Sequence, residues 1–121
     1  MAARVLHVEN VTRGESLGDR IRWANTRWLR LRGMLGRPEP DPGEGLLIEP
    51  CRGVHMFWMK YPLDIVFLDP DGKVVALYPE LRPWARSRVH REARYALELR
   101  AGAIESAGIQ EGDVLRWREV G

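Results

Sequence analysis

Apolar and polar positions fall along this chain in short blocks, most of them too short to be helices. Residues 4–8 alternate, with Val5 and Leu6 blurring the period, and predict a first strand. Residues 11–15 are turn-like. Between 17 and 24, Leu17, Ile21 and Trp23 share one parity while Arg20 and Arg22 take the other, as in a half-buried strand. Asn25 or Thr26 is placed to cap a helix whose apolar positions are Trp28, Leu29, Leu31 and Leu35. Gly33 weakens this helix, and Gly36 followed by Pro38 ends it.

Residues 38–45, PEPDPGEG, form a surface loop. Residues 46–48 predict a short strand that the 50–53 segment breaks. Residues 54–59 and 63–68 both look extended. Asp69-Pro70-Asp71-Gly72 is a strong turn signal, and 73–78 returns as its hairpin partner. The stretch 79–94 is irregular, with two prolines and five arginines. Then come a strand at 95–99, a helical turn at 103–107 ended by Gly108, and a last strand at 114–118. About eight short strands and one short helix predict a mainly β (α+β) fold, a compact sandwich or small barrel.

Length and composition narrow the setting. The chain has 121 residues, which fits one domain over 1–121 that buries enough surface to need no disulfide or metal. Hydrophobic residues are 45% and charged residues 30%, as in soluble globular proteins. A single cysteine excludes an intrachain disulfide. The first residues, MAARVLHVENVTRGE, meet a charge at Glu9 before an export signal's apolar run develops, and no stretch is long enough to span a membrane. The expected location is cytoplasmic. Net charge is only +2, and Lys60 and Lys73 are the only lysines among 19 basic residues.

The densest chemistry lies between Cys51 and Asp69. Cys51 and His55 are metal-ligand types, but four residues of strand span about 13 Å, too far to share one ion, and Pro50 and Gly53 oppose a helix. A buried thiol and a hydrogen-bonded histidine are expected instead, with no metal and no cofactor. As a strand, the segment turns His55, Phe57 and Met59 one way and Met56, Trp58 and Lys60 the other. Trp58 beside Lys60 offers a stacking surface with a cation at its edge, or else a core tryptophan with a snorkelling lysine. Tyr61–Pro62 is a candidate cis bond, although trans is the commoner state. Asp64 sits among apolar residues and needs donors, from Lys60, His55 or Arg37. A His55–Asp64 pair could do acid–base work, but a carboxylate holding a loop through backbone N–H groups is the favoured reading.

Glu98, flanked by Leu97 and Leu99, points away from those leucines in a strand. A solvated face is the plainer reading; if that face is a site wall, Glu98 and Asp64 could pair. Six arginines surround the helix: Arg20, Arg22, Arg27, Arg30, Arg32 and Arg37. Five more, Arg82, Arg86, Arg88, Arg91 and Arg94, share a loop with Trp84 and His90. Seventeen acidic residues and the small net charge disfavour nucleic acid as a partner. No G-x-S-x-G, P-loop, G-x-G-x-x-G or H-E-x-x-H motif is present, and no residue is singled out as catalytic.

Several stretches in order resemble the domain of unknown function 192 family of prokaryotes. They are Arg32-Gly33-Met34-Leu35-Gly36-Arg37, Gly45-Leu46-Leu47-Ile48, His55-Met56-Phe57-Trp58-Met59, and Pro62-Leu63-Asp64-Ile65-Val66-Phe67-Leu68-Asp69 with Gly72. Ala96-Leu97-Glu98-Leu99 with Ala101-Gly102, and Gly112-Asp113, complete the match. The resemblance implies a compact mainly β fold with a short helix and carries no agreed activity. Two features set this chain apart: only Lys60 and Tyr61 separate the Trp-Met pair from Pro-Leu-Asp, and the export signal of many relatives is missing. The second implies that an envelope role does not carry over, and the Cys51-x-x-x-His55 pairing resembles a shorter, cytoplasmic-looking branch.

The leading expectation is a small soluble binding or accessory module, more a binder than an enzyme. Its partner is an unknown small molecule or protein, with no membrane involved. His55, Trp58, Lys60 and Asp64 form the expected ligand-binding pocket, with Arg37 and Glu98 near. Arg37 is suited to clamp an anionic group. A small hydrolase or isomerase using His55 and Asp64, and an arginine-mediated nucleic-acid binder, are the alternatives.

Overall fold

The computed structural model describes residues 4–120. Seven strands carry the fold: β1 Arg4–Asn10, β2 Glu15–Ala24, β3 Glu44–Ile48, β4 Leu63–Leu68, β5 Val74–Leu81, β6 Tyr95–Arg100 and β7 Leu115–Glu119. Two short helices accompany them, α1 Arg27–Arg32 and α2 Ala103–Ala107. The strands form one sheet in the order β5-β4-β6-β3-β2-β1-β7. Every pairing is antiparallel except β2 with β3, whose parallel register needs the crossover that α1 and the 38–43 loop provide.

The sheet curls until its two edges meet at one end. Lys73 bridges Val114, Val74 N–H donates to Asp113 O (2.8 Å), and Leu115 N–H donates to Gly72 O (2.8 Å). Gly72 is required at this seam. Its φ is +81°, and a Cβ there would collide with the Leu115 carbonyl oxygen. Asp113 holds the seam from behind: its carboxylate accepts from Asn10 Nδ2 (2.9 Å), Arg13 Nε (2.6 Å) and Gln110 N–H (3.0 Å). The result is a half-barrel within the mainly β class the pattern predicts.

β4 explains how both sides of the sheet are covered. All six of its residues are buried. Val66 and Leu68 enter a core that draws on every strand and on Ile104 and Ile109 around α2, so it fills the inside of the curl. Leu63, Ile65 and Phe67 face the other way, into a second core with Leu46, Ile48, Ala96, Leu29, Met34, Met56 and Met59. That outer core lies beneath α1 and the 50–59 segment.

Two local expectations change. Residues 54–59 form no strand; a turn at Phe57 and Trp58 replaces it, with Trp58 at φ 68°. Met56 and Met59 are buried while His55, Phe57 and Trp58 are exposed, which period-two alternation cannot give. α1 covers only six residues. Thr26 caps it, its Oγ1 accepting from Leu29 N–H (3.2 Å), and Gly33 stops it with a positive φ. Tyr61–Pro62 is trans; the cis X-Pro bond among the described residues is Glu49–Pro50.

Candidate functional site

A cleft of about 550 Å³ opens between α1 with its following turn and the 50–59 segment. This is the size of an ordinary small-molecule site, roughly 300–1,000 Å³. Met34, Met56, Met59, Ile48 and Leu63 line its apolar depth, and Glu98 of β6 forms its floor. The 50–59 segment lacks a strand partner, so its backbone groups bond to the equally irregular 82–90 loop. Met56 N–H donates to Ala85 O (2.8 Å), Trp84 N–H to Met56 O (2.8 Å), Ser87 N–H to Val54 O (2.9 Å) and His90 N–H to Arg52 O (2.8 Å). The arginine-rich loop therefore buttresses the cleft wall.

The mouth is aromatic and exposed. Trp58 is 70% exposed, and its ring meets the edge of Trp84 at 4.8 Å between centroids. Phe57 lies 6.1 Å from Trp84 and stacks on His55 at 4.5 Å. Trp28 (67%) and Leu31 (75%) project from α1. Trp58 and Trp84 both hold positive φ, 68° and 72°. Bulky residues rarely adopt this conformation, and such strain concentrates where side chains are presented for function.

Glu98 is the unusual residue. It is only 6% exposed. Its strand partners are Ile65 and Leu46, so it shares their face and points toward the outer core and the cleft. No donor among the described residues bonds its carboxylate, and burial alone pushes its pKa from 4.5 up to about 7. Solvation of its face was the wrong expectation: α1 and the 50–59 segment cover it. Arg30 also lines the cleft, and its Nε is buried with no partner. Cys51 feels the charge of both. Burial first, and Glu98 after it, push its thiol up to about 11, with Arg30 pulling the other way. The thiol donates to Gly53 O (3.2 Å) and is no nucleophile near neutral pH.

Of the six expected site residues, His55, Trp58 and Glu98 line this cleft. Lys60 and Arg37 line an adjoining groove of about 540 Å³ that shares Trp58, Met34, Leu35 and Met59 with it. Arg37 Nε is buried without a partner, and its backbone carbonyl accepts from Tyr61 Oη (2.9 Å). Burial first, then the charges of Arg22 and Arg32, lower its guanidinium pKa.

Asp64 belongs to neither. It is fully buried on the inner face, where its Cα partner is Leu99. Oδ1 accepts from Glu80 N–H (2.8 Å) and Oδ2 from Ile104 N–H (2.8 Å), which ties α2 and the end of β5 to β4. Neither Lys60, His55 nor Arg37 reaches it. The register also places Glu98 and Asp64 on opposite faces, so they cannot pair. Arg30, Phe57 and Trp84 escaped the sequence reading. Only the bulk of Phe57 and the isolation of Trp84 among arginines hinted at them.

Among the described residues, no group of three His, Cys, Asp or Glu side chains is placed to hold a metal. No helix there is long and apolar enough to cross a membrane.

Comparison with known proteins places this geometry in a family. A UPF0127 protein of Thermococcus sibiricus is 30% identical over 115 residues, covering 89% of this chain and 72% of that one. A UPF0127 protein of Pyrococcus furiosus is 30% identical over 114 residues, covering 92% and 97%. A crystal structure from Sinorhizobium meliloti, described provisionally as a transcription regulator, superposes with TM-score 0.77 at 26% identity over 96% of this chain and 94% of that one. A protein of unknown function from Novosphingobium aromaticivorans shares the fold, with TM-score 0.79 at 24% identity over 93% and 84%. The family model for DUF192, Uncharacterized ACR, matches residues 8–117, and the chain belongs to that family.

Proposed function

We propose that the protein is a small-molecule binding module, acting in the cytoplasm, whose site is the cleft floored by Glu98 and rimmed by Trp58. The observation that carries this is Glu98, a buried residue whose carboxyl has no partner among the described residues and opens onto the apolar depth of the cleft. Burying such a group without a partner is unfavourable, and a bound ligand would supply what the protein withholds. The strained, exposed aromatics at the mouth are suited to cover the ligand's apolar body. The free, neutral Cys51 thiol is compatible with a reducing compartment.

Acid–base catalysis by His55 and Asp64 is not proposed. Both Asp64 oxygens are held by backbone donors on the inner face, away from the cleft that His55 lines.

A thermal-shift screen of small aromatic and aliphatic compounds tests the proposal. Compounds that bind the folded state should raise the Tm of the wild type, and Trp58→Ala should blunt that response. Equal responses from wild type, Trp58→Ala and Glu98→Gln would place binding elsewhere.

A nucleic-acid reading draws on the description of the Sinorhizobium protein and on the exposed Arg82, Arg86, Arg88 and Arg91. It requires binding to a short duplex or single strand that falls steeply with salt. Salt-independent anisotropy would dispose of it.

A further inference from the structure

The charges lining the cleft are segregated, and their order selects a ligand. Glu98 is the one carboxylate among the described lining residues, and it sits at the floor. From α1 come Arg27, Arg30 and Arg32; from the 50–59 segment come Arg52, Cys51 and His55. Arg27, Arg32 and Arg52 are exposed, so the mouth is cationic, and His55 lies exposed beside them. Tyr61, just ahead of β4, is near enough to feel the Glu98 charge. The walls between floor and mouth are methionine, leucine and isoleucine side chains.

Resting on the binding reading above, we propose that the ligand is a small amphiphilic zwitterion. A primary amine or amidine at one end donates to the Glu98 carboxylate. A compact apolar body lies along Met56, Met59 and Leu63. An acidic group at the other end meets the arginines of the mouth. An acid alone would find its complement in the arginines, the partly buried Arg30 included, and leave Glu98 unpaired. An amine alone would satisfy Glu98 but leave the arginines without an anion. Only a molecule with both ends, and an apolar middle, answers the whole lining. Because the amine takes the carboxylate form of Glu98, binding below neutral pH releases that proton.

A matched set of probes tests this by isothermal titration calorimetry: 4-(aminomethyl)benzoate, benzylamine, benzoate and benzyl alcohol. The zwitterion should bind at least about tenfold more tightly than benzylamine, and benzylamine more tightly than benzoate. Benzylamine affinity should fall about tenfold from pH 8 to pH 6 as Glu98 takes up its proton. Glu98→Gln should erase both the preference for benzylamine over benzyl alcohol and the pH dependence; a dependence owed to His55 would survive it. Arg27→Ala with Arg52→Ala, on exposed positions, should weaken the zwitterion toward the affinity of benzylamine, which it should leave unchanged. Should Glu98→Gln not fold, the wild-type pH dependence and this double variant decide the matter. Benzoate matching benzylamine, or pH-independent binding of benzylamine, overturns the ligand class while leaving the cleft as a site. No binding by any probe, benzyl alcohol included, removes the cleft reading with it.

Discussion

Glu98→Gln is a substitution at the candidate site that should stabilise the protein, and only above a definite pH. The folded protein holds the Glu98 proton up to about pH 7, whereas the unfolded chain releases it near 4.5. Between those values the native state binds more protons than the unfolded state, so stability falls as pH rises through the window. Below pH 4.5 both states are protonated and the penalty is absent; above about pH 7 it is fully present. At roughly 1.4 kcal/mol per pH unit, the difference between 4.5 and about 7 amounts to about 3 kcal/mol. A carboxamide has nearly the same shape and never ionises, so Glu98→Gln recovers most of this at pH 8 and only a small part of it at pH 5. For a chain of this length the gain at pH 8 corresponds to a rise in Tm on the order of 10 °C. Urea denaturation followed by far-UV circular dichroism at both pH values measures it. A variant less stable than wild type at pH 8, or a difference that does not change with pH, would refute the reasoning. Either result would mean that the charged carboxylate has a partner in the folded protein. A stabilising substitution at a concave, strained location is the pattern expected where function, not stability, fixes a residue.

Three further outcomes follow from the frame around the site. Asp64→Asn replaces an acceptor facing two backbone donors with a group that can satisfy only one, and should lower stability by about 2–4 kcal/mol in urea; benzylamine binding at saturating folded fraction should be unchanged, since Asp64 lies on the other face. Asp113, whose pKa its Arg13 hydrogen bond holds near 2, contributes stability that is present above about 3.8 and is lost as pH falls through about 2. Asp113→Asn should therefore flatten the acid limb of the stability profile in circular dichroism. Gly72→Ala should open the seam between β5 and β7, with a loss of about 2–4 kcal/mol and faster hydrogen exchange at the Val74 and Leu115 amides.

The strands were largely legible, because their signals are local. The Asp69–Gly72 turn and the apolar run after Pro62 define the β4–β5 hairpin without reference to the rest of the chain. The helix was legible at its start, through Thr26, but the left-handed backbone at Gly33 cut it shorter than its apolar spacing suggested. The site was legible only in part. Asp64's need for donors followed from its apolar neighbours, but the donors stand 16 and 40 residues away and could not be named. Glu98 looked solvated because leucines flank it on the opposite parity. Its burial is imposed by α1 and the 50–59 segment, more than 38 residues upstream, and a two-residue period carries no trace of them. Residues 54–59 resembled a strand by composition, yet their bonding partner is an irregular loop. His55, Trp58 and Glu98 do converge, in a cleft whose Arg30 and Phe57 no local pattern marked; Trp84 stands behind its rim, against Trp58.

Titration of the Glu98 side-chain carboxyl by carbon-13 NMR, with and without saturating benzylamine, tests the central claim most directly. A buried acid without a partner, open to a ligand cleft, should titrate at about 7 in the free protein and at a clearly lower pH when the amine is bound. A midpoint near 4.5 in the free protein, or one that benzylamine leaves unmoved, would contradict the account.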